Sequence, residues 1–70
     1  MRESLFRITV NGEPVETQAA NLAALCEELG YGGTRIATAR NGEFVAAAER
    51  ALTALDEGDE IEIVAARQGG

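Results

Sequence analysis

The sequence predicts an α+β domain, a mixed sheet packed on one main helix plus a short second helix, and three observations point there. Two alternating runs each break at an Asn-Gly pair, Asn11-Gly12 and Asn41-Gly42, the strongest short-range hairpin signal. Leu22, Leu25, Cys26 and Leu29 recur at the spacing of one helix face. A last run, Glu60-Ile61-Glu62-Ile63-Val64, alternates sharply, as a strand with one buried face does.

In chain order, Phe6, Ile8 and Val10 alternate with Arg7 and Thr9, so the first strand ends at the Asn11-Gly12 turn. Pro14 lacks an amide donor and suits the start of a return strand that continues through Val15-Glu16-Thr17-Gln18. Asn21 is a helix N-cap, and Gly30 supplies a left-handed stop. The helix between them is too short to stand alone and must lie on the sheet. Gly32-Gly33 punctuates a loop before a β-branched run from Thr34 to Arg40, and Phe44-Val45 reads as a brief return strand. Ala46 to Leu55 has high helix propensity and predicts a short helix with Leu52 and Leu55 on its apolar face. Asp56-Glu57-Gly58-Asp59 is a turn before the last strand. A sheet grasping one helix in this order is the β-grasp, or ubiquitin-like, arrangement.

Seventy residues make one small domain, here residues 1–65, followed by a C-terminal tail of residues 66–70. Of the 32 apolar residues 13 are Ala, so 18 larger ones besides Cys26 must build the core. Twelve acidic residues against six Arg give a net charge of −6, which repels phosphate backbones and anionic headgroups and argues against nucleic acid and membrane partners. A basic protein surface is the better match. A single cysteine, no histidine and no long apolar run exclude a Cys/His zinc site and predict a cytoplasmic protein.

The end of the chain is the candidate functional site. Gly69-Gly70 lies beyond the last strand, and residues 66–70 extend roughly 17 Å at about 3.4 Å each. Its last two residues have no Cβ atoms, so the end of such a tail threads a narrow channel and delivers its carboxylate to another protein's active site; the bland alternative is a frayed terminus. The chain lacks the parts to activate a carboxylate: no phosphate-cradling Gly-rich loop precedes its helix, and it has no Lys. Any activation comes from a partner, which makes the chain a carrier and not an enzyme, with no cofactor of its own. Cys26 shares its stripe with leucines and has no His to activate it, so it reads as packing. Asp56, Glu57, Asp59, Glu60 and Glu62 miss the spacing of a calcium loop and read as a solvated turn and outer strand face. Tyr31 between two glycines reads as a partly buried loop anchor or a contact aromatic.

Several segments together resemble one family: the Asn11-Gly12 hairpin, the helix ending Cys26-Glu27-Glu28-Leu29, the Ala39-Arg40-Asn41-Gly42-Glu43-Phe44-Val45 hairpin, the Glu57-Gly58-Asp59-Glu60-Ile61-Glu62-Ile63-Val64 turn and strand, and Gly69-Gly70. From about Phe6 to Gly70 the chain is similar to the ThiS family of thiamin-biosynthesis sulfur carriers. The resemblance implies that Gly70 is adenylated and then converted to a thiocarboxylate, with Gln68 and Gly69 threading into the partner. It implies a ThiF-type adenylyltransferase that uses ATP and magnesium, a sulfur donor fed by a cysteine desulfurase, and thiazole synthase, ThiG, as acceptor. The alternatives are a carrier like the small subunit of molybdopterin synthase, whose Phe-Pro-Pro-like lead into the tail is absent from Ala65-Ala66-Arg67-Gln68, and a ubiquitin-like binding module with a passive tail.

Overall fold

The computed structural model describes residues 5–65. Five strands form one sheet: β1 (Phe6–Val10), β2 (Glu13–Thr17), β3 (Ile36–Arg40), β4 (Glu43–Val45) and β5 (Glu60–Ala65), in the order β2-β1-β5-β3-β4. β1 runs parallel to β5, and the other neighbours are antiparallel. The mixed sheet with its helix is the predicted β-grasp. The connection from β2 through helix α1 (Leu22–Glu28) passes over both β1 and β5 to reach β3. That crossover leaves a central slot which the last strand fills.

Each element carries its local cause. Asn11 and Asn41 sit at φ 53° and 52°, and Gly12 and Gly42 follow at 84° and 86°, the paired positive φ values of a tight primed hairpin turn. Pro14 falls inside β2, an edge strand, where its missing donor breaks no ladder. Asn21 caps α1, its Oδ1 accepting from the Ala24 amide at 2.8 Å. At the other end Gly30, at φ 91°, donates to the Glu27 carbonyl and Tyr31 donates to that of Cys26. Those two bonds are the 5→2 and 6→1 pair of a Schellman stop. Leu29 is the cap residue and reaches 36% exposure, so the buried stripe ends at Cys26 and does not include the predicted fourth position.

The second helix differs from expectation. Ala47–Leu52 forms a 3₁₀ helix without a side-chain cap, and Leu52 is 82% exposed. The reason lies at Leu55, which is almost wholly buried. To place Leu55 in the core the chain leaves the helix at Thr53 and runs alongside α1's entry, where Leu22 N donates to Thr53 O and Leu55 N to Ala20 O. A six-residue turn without a cap has too little to hold it as an α-helix against that pull.

Between sheet and helix lie Ile8, Leu22, Leu25, Leu55, Ile61 and Ile63, joined by Phe6, Val10, Cys26 and Val45, with Tyr31 packed at the edge as a partly buried loop anchor. Buried Thr17 ties the end of β2 to α1 through Glu28 Oε1, and its own Oγ1 accepts from Ala19 N. Among the described residues no helix is long and apolar enough to cross a membrane.

Candidate functional site

Gln68, Gly69 and Gly70, together with the rest of the 66–70 segment, lie outside the described residues. What the fold positions is the root from which that segment departs and the surface around it.

The root is β5. Its Ile61 and Ile63 face the core while Glu60, Glu62 and Val64 face out, the period of two that the alternating sequence encodes. Ala65, its last residue, pairs with Ile36 at the start of β3. Beside it the Asn11 side chain acts as an extra ladder residue: Oδ1 accepts from Ile63 N at 2.9 Å and Nδ2 donates to Ile63 O at 3.1 Å. At the other end of the strand Asn41 Oδ1 accepts from Glu60 N at 2.9 Å. Both turn asparagines therefore fasten β5 in place.

The outer sheet face carries an apolar patch. Ala37 pairs with Val64, and Ala39 pairs with both Glu62 and Phe44, so these side chains share the face away from α1. Phe44 is 74% exposed and Val64 is 65% exposed. Glu60 and Glu62 rim the patch with acid, and Arg7 sits further along the sheet paired with Glu16. Sequence reading marked Phe44-Val45 only as a strand; the strict alternation that puts Val45 inward also puts Phe44 outward.

The acidic turn needs one correction. Asp59 was expected among solvated carboxylates, but it is 6% exposed. Its Oδ2 accepts from Arg40 Nε and from Asp56 N, both at 2.8 Å, and its Oδ1 accepts from Asn41 Nδ2 at 3.1 Å. Burial alone raises its carboxyl pKa, yet the Arg40 hydrogen bond, those from Asp56 and Asn41, and the Arg40 charge outweigh it and hold the group below 3.8. An Asp closing a Gly turn just before a strand was the available signal, since such a side chain fills the turn's own donors.

Cys26 is buried, beside a cavity of about 160 Å³ whose lining includes Tyr31, Ile36 and Arg50. Burial pushes its thiol above 9.0; nearby Arg50 draws it down and Glu27 pushes it up, and the net direction is up. Arg50 donates to Thr38 Oγ1 at 2.9 Å and to the Ile36 carbonyl at 2.7 Å, so its guanidinium braces β3. This is packing chemistry, not an activated nucleophile.

No curated protein matches the chain. Among solved structures it is similar to the thiamine biosynthesis protein (ThiS) from Geobacter metallireducens, with 26% identity and a TM-score of 0.76 over 93% of this chain and 100% of that one. The model of the ThiS family matches residues 4–70, nearly the whole chain and both terminal glycines. With fold and family model in agreement over that length, this chain belongs to the ThiS family.

Proposed function

We propose that the chain is a sulfur carrier for thiamin thiazole formation, with Gly70 as the carrying residue. The observation that supports this most is that the family match runs through Gly69-Gly70 on a body whose last strand is the centre of the sheet. A ThiF-type adenylyltransferase, using ATP and magnesium, joins the Gly70 carboxylate to AMP and releases pyrophosphate. Sulfur that originates from cysteine through a desulfurase then displaces AMP and leaves a thiocarboxylate. ThiG takes that sulfur. Gln68 and Gly69 thread into the partner, and the chain is their co-substrate, not an enzyme.

The physical division of labour follows from the fold. A carboxylate is a poor electrophile, and adenylation supplies the leaving group. The outer face supplies recognition: an apolar centre of Phe44, Val64, Ala37 and Ala39 inside an acidic rim favours a partner with an apolar patch edged by basic residues. The cytoplasm is the compartment in which these partners meet the chain.

The test is mass spectrometry of the full chain incubated with the adenylyltransferase, ATP, magnesium and a sulfur donor. Replacement of one oxygen by sulfur at Gly70, lost when Gly69 and Gly70 are deleted, is the expected result. An unchanged C-terminus with partners proven active on another carrier sinks the reading.

A further inference from the structure

Both Asn-Gly turns carry a chemistry that the carrier reading does not use. In an Asn-Gly sequence the glycine amide nitrogen attacks the asparagine Cγ. The Cγ–Nδ2 bond breaks, ammonia leaves with the amide proton, and a succinimide remains. Water then opens either carbonyl and yields aspartate or isoaspartate. Glycine favours this reaction because it has no side chain to hinder the attack. Both turns are exposed. What restrains each site is the asparagine's hold on β5, through its backbone N–H to the Ile61 or Glu60 carbonyl and through its side chain.

At each turn both polar atoms of the amide are committed to β5 or to the turn that precedes it. Asn11 bonds the Ile63 N–H and carbonyl, and Asn41 bonds the Glu60 N–H and Asp59 Oδ1. For cyclisation the amide must leave these partners and rotate toward its own chain neighbour. We propose that Asn11 and Asn41 are deamidation sites gated by β5: each converts only from states in which its hold on that strand has opened, so local opening sets its rate.

The two products differ. An acid at position 11 has no donor for the Ile63 carbonyl, and the strand loses a fastening two residues before Ala65. An acid at position 41 sets a second carboxylate against the Asp59 oxygen that had accepted from the amide, in a chain already at −6. Conversion at Asn41 therefore opposes the network that holds the turn before β5, and conversion at Asn11 loosens the root of the terminal segment.

Ageing of the full chain at mildly alkaline pH tests this, folded and in denaturing urea, with conversion at each site read by peptide mapping and isoaspartate-specific methylation. Both sites are expected to convert about tenfold or more slowly in the folded chain. Equal rates in folded and unfolded chain at either turn overturn the proposal, and this comparison needs no variant. Asp59→Ala removes the acceptor of Asn41 Nδ2, together with the carboxylate that Arg40 and Asp56 N hold, and leaves both bonds of Asn11 to Ile63 in place. A several-fold rise at Asn41, with Asn11 at its wild-type rate in the same molecules, supports the gate; no rise at Asn41 overturns it.

Discussion

Arg40 Nε donates to Asp59 Oδ2 at 2.8 Å, joining the end of β3 to the residue just before β5. Folding holds this carboxyl below 3.8, so the native state gives up the Asp59 proton more readily than the unfolded chain does. The stability it contributes is complete above 3.8 and disappears as pH falls through the lower folded value. Urea midpoints measured between about pH 5 and pH 2 are expected to fall, and to fall less steeply in Asp59→Asn. At neutral pH that variant is expected to be about 1–3 kcal/mol less stable, because Arg40 then faces a neutral partner. An identical acid limb in both proteins contradicts the assignment.

Asn11 contributes two hydrogen bonds to Ile63 and a positive φ. Glycine supplies the second without the first, so Asn11→Gly isolates the bonds. We expect a loss of about 1–3 kcal/mol in denaturant unfolding, with a further loss in Asn11→Ala from the strained backbone. Stability unchanged in the glycine variant shows that the side chain is not a fastening.

Leu25 and Leu52 both follow the helical leucine pattern, yet one has no exposed surface and the other is 82% exposed. Leu25→Ala is expected to cost about 2–5 kcal/mol. Leu52→Ala is expected to stay within about 0.5 kcal/mol of wild type, as exposed substitutions do. Calorimetry or urea unfolding of the pair checks both, and a large effect at Leu52 means that it is covered in solution.

Phe44 stands on the outer face without a role in the core. Phe44→Glu is expected to unfold at the wild-type midpoint while weakening binding to the proposed adenylyltransferase partner about tenfold or more, as loss of a central aromatic anchor does. Titration calorimetry with the full chain gives the number; wild-type affinity places recognition elsewhere.

Cys26 is buried, and burial drives its thiol pKa upward from 9.0. Labelling of the native protein by a thiol reagent is expected to be slow, to rise with a midpoint above that value, and to accelerate in urea. Rapid labelling at neutral pH points to an open, ionised thiol.

Most of the body was legible because its elements announce themselves locally. Asn11-Gly12 and Asn41-Gly42 mark their turns, Asn21 and Gly30 bound the helix, and the alternation through Ile61 and Ile63 gives the last strand its buried side. Strand order was less legible: that β5 enters between β1 and β3 depends on pairings across more than 20 residues, which no local signal carries. The second helix was legible as a short helix, but its 3₁₀ form and its end before Leu55 were not, because propensity describes Ala46 to Leu55 in isolation, whereas Leu55 answers to the core and pulls the chain out of helix. Asp59 was misjudged because a carboxylate reads as solvated until its partner is known, and Arg40 lies 19 residues away. The predicted carrying end, Gln68 to Gly70, is read from sequence and family alone.

Ala65 ends the central strand of the five, parallel to β1 on one side and antiparallel to β3 on the other. A load applied along the axis of β5 meets two ladders arranged across it. Such a pull shears every cross-strand bond together, where an edge strand tugged sideways would peel one bond at a time. The domain thus resists a pull along β5 better than one that peels a strand sideways from its edge.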